Sequence, residues 1–220
     1  MPDPRARARE LAGDSIARGD ATGWFEQLYS ASEREGFPIS WVDLQPNPYL
    51  VAWLRGRAAA PRGRAIVIGC GYGDDAELLA SRGLEVTAFD VAPSAISRCH
   101  DRFAESGVVY EVADVLSPPA GWRRAFDFVF EAYTVQVLPG AARAQCARAI
   151  GSLVAPGGTL LAVARSRRAD EPEGLMPWPL TRAELDEFAV PGLELRRLDE
   201  IVEPGDPPVP RFVAEFVARP

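Results

Sequence analysis

The chain contains no lysine. All 24 basic side chains are arginine, and His100 is the only histidine. Without lysine there is no Schiff-base nucleophile, no pyridoxal anchor and no P-loop lysine for a nucleotide phosphate. One imidazole cannot build the two- or three-histidine zinc sites of hydrolases, although a Ser–His–Asp triad needs only one. Cys70, Cys99 and Cys146 are too few for a disulfide framework, and no CxxC pair exists, which argues against structural zinc and any other metal centre. No apolar run approaches the roughly 20 residues that span a bilayer. The opening stretch, residues 1–10, is charged and lacks an apolar signal core. The expected setting is cytoplasmic, without a membrane partner. With 24 basic against 31 acidic residues the net charge is −7. That balance disfavours nucleic acid, whose binding needs clustered positive charge. Chemistry must therefore come from carboxylates, hydroxyls, thiols, arginines, backbone groups or a borrowed cofactor.

What is present suits one α/β domain: 220 residues, 47% of them hydrophobic. Residues 5–18 and 22–35 read as polar-rich helices, and 36–49 as an ordered loop with three prolines. From residue 65 short apolar strands (65–68, 85–89, 108–112, 126–130, 159–164) alternate with helices (74 to about 82, 93–103, 141–154). Such alternation predicts a doubly wound, mostly parallel sheet with helices on both faces. Thr181-Arg182-Ala183-Glu184 has capping-box form and should open a helix reaching 188. Two further strands, 194–202 and 211–218, are joined without a crossover helix and should be antiparallel. The expected organisation is a single domain over 1–220, with a helical extension and lid at 1–60 and a Rossmann-like core at 61–220.

The most informative segment is Gly69-Cys70-Gly71-Tyr72-Gly73-Asp74-Asp75 after the first core strand. A glycine turn between strand and helix lets backbone approach a ligand at the carboxyl edge of the sheet. The spacing is GxGxG, and Asp74 stands where a dinucleotide fingerprint has its third glycine. Asp74 and Asp75 suit the positive end of a helix but would repel a pyrophosphate there. A ligand neutral or cationic at that point fits better, and S-adenosylmethionine, a sulfonium without phosphate, is the candidate. Asp90 ends the second strand, placed to accept from both ribose hydroxyls; Asp114 ends the third, placed to accept from an adenine amino group. Their neighbours Val91 and Val115 complete the expected cofactor wall.

This set resembles the class I S-adenosylmethionine-dependent methyltransferases over about residue 65 to the C-terminus. The resemblance implies a seven-stranded sheet with an antiparallel last strand, S-adenosylhomocysteine as product and a small-molecule methyl acceptor. Val67 stands where that family often has an acid. A narrower resemblance, to the thiopurine, thiol and halide methyltransferase group, lies in Trp41-Val42-Asp43-Leu44-Gln45-Pro46-Asn47-Pro48, in the glycine loop with Asp75, and in Phe130-Glu131-Ala132-Tyr133-Thr134. It implies that Trp41 closes over the cofactor. Ala132 occupies the place of an arginine found in vertebrate-type thiopurine enzymes.

Methyl transfer from a sulfonium asks the protein for alignment and water exclusion rather than a nucleophile. A thiol is partly ionised at neutral pH and a halide needs no base, so sulfur is preferred here over oxygen or nitrogen. Glu131 and Tyr133, at the end of the fourth strand, are the expected catalytic groups: Glu131 orients the cofactor or takes a proton, and Tyr133 hydrogen-bonds or walls the acceptor. Cys70 reads as a small filler within the cofactor loop, and Asp43 as a reserve base. Met176 and Trp178, in the long loop after the fifth strand, are expected to join Tyr133 against the acceptor. Arg165-Ser166-Arg167-Arg168 reads as a solvated run with acids nearby. A nicotinamide oxidoreductase and a non-catalytic binding module are the rival classes. A monomer or a homodimer fits equally.

Overall fold

Short apolar segments and the turns between them become seven strands of one sheet in a computed structural model that describes residues 4–57, 61–205 and 207–220. The strands are β1 (Arg64–Ile68), β2 (Glu85–Asp90), β3 (Val109–Val112), β4 (Phe126–Ala132), β5 (Val154–Arg165), β6 (Leu193–Glu203) and β7 (Val209–Ala218). Their spatial order is β3-β2-β1-β4-β5-β7-β6. The five pairings from β3 to β7 are parallel up to β5; β7 then runs antiparallel to both β5 and β6. The expected doubly wound sheet with an antiparallel last strand is thus the fold.

Strand β1 shows why its residues are apolar throughout. Ile66 and Ile68 enter one core with Phe126 and Leu160, while Ala65 and Val67 enter the other with Leu79 and Phe128. A strand covered on both faces has no polar side to present. The helices are α1 (Pro4–Ala17), α2 (Gly23–Glu35), α3 (Pro48–Arg55), α4 (Asp74–Ser81), α5 (Pro93–Arg102), α6 (Gly140–Gly151) and α7 (Arg182–Asp186). A third apolar cluster joins α1 and α2 to the sheet: Trp24, Leu28 and Tyr29 pack with Ala92 and Ala95 at the head of α5. That contact brings the N-terminal helices over the carboxyl edge of the strands.

Two segments depart from expectation. Helix α3 occupies residues that read as loop and its continuation. Asn47 Oδ1 accepts from the Tyr49 N–H and Pro48 fills the first helical position, a start signal that reads equally well as a turn. The Pro156-Gly157-Gly158 turn lies inside β5 rather than before it, as a bulge between the pairs Phe126–Val154 and Phe128–Thr159. Thr181 and Glu184 form the expected capping box at α7. Among the described residues no helix is long and apolar enough to cross a membrane.

Candidate functional site

The turn from β1 into α4 is built on left-handed glycines, with φ of 58° at Gly69, 53° at Gly71 and 89° at Gly73. A Cβ on Gly69 would stand 2.6 Å from Thr134 Oγ1, and one on Gly73 2.5 Å from the Tyr110 hydroxyl. Only glycine meets both demands. The Cys70 N–H donates to Phe89 O at 2.9 Å, pinning the loop to the end of β2. Asp74, first residue of α4, is bound twice by Arg102, at 2.8 and 2.7 Å. Its charge is therefore matched, and a phosphate is kept from this helix end by an occupied first turn rather than by bare repulsion. Asp75 faces the other way, where its Oδ1 accepts from the Asn47 N–H at 2.6 Å.

The strand ends carry the next two carboxylates. Asp90 is 6% exposed. Its Oδ2 accepts from Gly71 N–H and its Oδ1 from Ala92 N–H, each at 3.0 Å. Burial, only partly offset by the Ala92, Gly71 and Val91 amides, pushes its pKa up to about 6. Each oxygen keeps a further lone pair for a ligand hydroxyl. Asp114 Oδ1 accepts from Leu116 N–H at 2.8 Å, closing the turn after β3.

These groups open on a cavity of about 530 Å³ over the carboxyl edge of the sheet, within the size range of small-molecule sites. The cavity brings together most of the expected residues: Gly69, Cys70, Gly71, Asp75, Asp90, Val91, Asp114 and Val115 toward β1–β3, with Trp41, Tyr133 and Met176 around them. A phosphate-free cofactor with ribose and amine donors fits this acceptor-rich, glycine-cradled wall.

Three expected residues lie elsewhere. Gly73 does not line the cavity; it caps α4 beneath Tyr110. Glu131 is fully buried, outside the cavity lining. Its Oε1 accepts from Thr134 and Val135 N–H at 2.7 and 3.2 Å, so it holds the turn after β4. Burial raises it to about 7 despite those amides, and its Oε2 has no partner. Neither a cofactor contact nor an acceptor base follows from this placement. Trp178 packs under the Arg143 guanidinium, 5.5 Å from the ring centroid, rather than on the cavity.

The structure adds residues that the sequence reading passed over. The Tyr29 hydroxyl receives the Trp41 Nε1–H at 3.1 Å, and Phe25 lines the cavity beside them. The run 165–168 splits: Arg168 pairs with Asp170, Arg167 reaches Pro179 O and Glu184, but Arg165, last residue of β5, lines the cavity. Arg211 and Glu203, paired with each other, line the same end. No periodicity marks the charged positions: Arg165 and Glu203 end β5 and β6, and Arg211 stands near the start of β7. Tyr133 and Leu44 hold left-handed φ of 67° and 52° without being glycine, and both face the cavity. Backbone strain of this kind concentrates where a site needs a side chain in one place.

Comparison with known proteins now becomes informative. A methyltransferase domain model matches residues 65–158. The chain is similar to probable thiol methyltransferase 2 of Arabidopsis thaliana, with 26% identity over 191 residues and 83% of each chain covered. It is 34% identical over 116 residues to the ubiquinone biosynthesis O-methyltransferase of Xanthomonas campestris pv. campestris, where the match spans 52% of this chain and 48% of that protein. Among solved structures, the one described for conversion of a disulfide bond into a thioacetal group during echinomycin biosynthesis superposes with a TM-score of 0.73 at 24% identity, covering 90% of this chain and 91% of that one. The N-methyltransferase NodS of Bradyrhizobium japonicum WM9, in complex with S-adenosyl-l-homocysteine, gives 0.66 at 20% identity, covering 86% and 97%. Both structural likenesses speak to the fold. A methyltransferase domain model over β1 to β4 and the start of β5, and a glycine-lined cavity at the carboxyl edge of those strands, identify this part of the chain as an S-adenosylmethionine-dependent methyltransferase domain.

Proposed function

We propose that the acceptor is a small thiol or another soft nucleophile. The observation that carries this reading is the charge at the acceptor end: Arg165 and Arg211 line it, and the cavity carboxylates there are already engaged. Glu203 is held below the usual carboxylate range by its bond to Arg211, helped by Tyr49, and makes a poor base. Asp43, exposed on the lid segment, is left for a harder nucleophile. Positive surroundings favour a thiolate over a thiol, so a sulfur acceptor needs no base at all. The similarity to a thiol methyltransferase spans most of the chain, whereas that to the O-methyltransferases spans about half.

When bound, S-adenosylmethionine supplies a methyl group on a sulfonium that is already a good leaving group. The chain's own residues then position and shield. Asp90 would accept from the ribose hydroxyls, Asp114 from the adenine amino group, and the Gly69-Cys70-Gly71 backbone would hold the aminoacyl part. Trp41, Tyr133 and Met176 wall the acceptor and exclude water. Residues 4–57 act as lid on the core that begins at 61; residues 1–3 and the expected boundary at 58–60 lie outside the described residues. The test is a panel of thiols, halides, phenols and amines read by S-adenosylhomocysteine formation. Thiols should give the highest kcat/KM; a phenol or amine preference would overturn the acceptor class, and no product from any member would leave a binding module.

A further inference from the structure

We infer that the acceptor carries an anionic oxygen group, such as a carboxylate, held jointly by Arg165 and Arg211. This rests on the reading of the cavity as the site of methyl transfer. The two arginines are direct cross-strand partners in the β5–β7 register. Like charges placed opposite one another destabilise an antiparallel pair. Yet both side chains line the same cavity, and Arg5 of α1 lines it too. Among the described residues Glu203 is the acid bonded to Arg211, and it also receives the Tyr49 hydroxyl. Arg165 has no ion pair among the described residues, and its hydrogen bonds to Gln136 and Leu180 are made through its backbone. The Arg211 Nε–H is buried with no acceptor, while its guanidinium lies 5.1 Å over the Tyr133 ring. Burial, with Arg5, Arg211 and Arg9 close by, holds the Arg165 guanidinium below its ordinary pKa. One fork without an acid partner beside a second that holds a single carboxylate leaves donors in excess at one cavity end, which a bidentate oxyanion satisfies.

Sheet order separates this end from the cofactor wall. Strand β7 lies three places from β1, about 14 Å at the usual strand spacing, and on the opposite side from β2 and β3. The anion is therefore assigned to the acceptor rather than to the cofactor's own carboxylate.

The probes are para-mercaptobenzoate and its neutral amide, with mercaptopropionate and its amide as an aliphatic pair. In each pair the acid should show a kcat/KM about tenfold or more above the amide, a gap that narrows with added salt. Arg165→Gln should bring the ratio near one while leaving S-adenosylhomocysteine affinity, measured by calorimetry, unchanged. Arg211→Gln should do the same; because it also frees Glu203, Arg165→Gln decides if Arg211→Gln melts early. Equal kcat/KM for acid and amide in the wild type would overturn the inference and leave the thiol reading intact. Weakened S-adenosylhomocysteine binding in Arg165→Gln would also overturn it, since the anion would then be the cofactor's. If no thiol turns over, the thiol reading fails. The subsite is then judged by tryptophan fluorescence, on which para-(methylthio)benzoate must bind more tightly than its amide.

Discussion

The Asn47 N–H donates to Asp75 Oδ1 across 2.6 Å, joining the cap of α3 to the first turn of α4. One carboxylate thus fastens the segment that follows Trp41 to the head of α4 beside the glycine loop. Burial, with Asp74 beside it, pushes this carboxyl up to about 6 even though the Asn47 amide pulls the other way.

Asp75→Ala should cost about 1–3 kcal/mol, because it strands a partly buried amide. It should also weaken S-adenosylhomocysteine binding by loosening the cavity wall between Asn47 and the glycine loop. Asp75→Asn retains an acceptor and should recover most of both. Urea denaturation and calorimetry check this, and an Asp75→Ala protein with wild-type values would remove the fastening role.

Glycine substitutions separate strain from collision. Gly83 has φ of 88° with nothing near a Cβ, whereas Gly69 meets Thr134 and Gly73 meets Tyr110. Gly83→Ala should cost about 1–2 kcal/mol for the left-handed backbone alone. Gly69→Ala and Gly73→Ala should cost clearly more, seen as lower denaturant midpoints. Equal losses at all three would mean that Thr134 and Tyr110 move aside freely.

Cofactor affinity should fall as pH drops through about 6. Asp90 accepts ligand hydroxyls best when ionised, and protonation near its raised pKa turns one acceptor oxygen into a donor. Asp90→Asn should weaken S-adenosylhomocysteine roughly ten- to a hundredfold at neutral pH. Its affinity should also vary less with pH than the wild type's. A parallel pH curve in the variant would place the titrating group elsewhere.

Glu131 makes the opposite kind of statement. Its folded pKa of about 7 exceeds its unfolded value, so the folded state holds this proton more tightly. The resulting stability is fully present below the unfolded pKa and is lost as pH rises through about 7. Glu131→Gln keeps an acceptor for Thr134 and Val135 without the buried charge. It should raise the Tm at pH above 7, with little gain near pH 5, and leave turnover largely intact. A collapse of kcat with unchanged Tm would restore Glu131 as a catalytic group.

Local signals account for what was legible. The glycine loop, Asp90 and Asp114 each sit at or just past the end of one of three successive strands, where spacing and chemistry coincide. The capping box at Thr181 is equally local. Glu131 misled because a strand-end acid looks the same whether it points to a cavity or back into its own turn. Helix α3 was hidden because Asn47-Pro48 serves turns and helix starts alike. Arg165 and Arg211 are 46 residues apart in the chain and meet only through sheet register. No single-sequence pattern carries that pairing.

The place of β7 has a consequence for how the protein is made. This strand is the last in the chain but an inner strand of the sheet, filling the gap between β5 and β6. On the ribosome, β1 to β6 emerge before the strand that bridges them, leaving two unpaired edges until residues 209–218 follow. Arg211 arrives with that strand, so the end of the cavity lined by Arg165 and Arg211 is completed only after β6 has emerged.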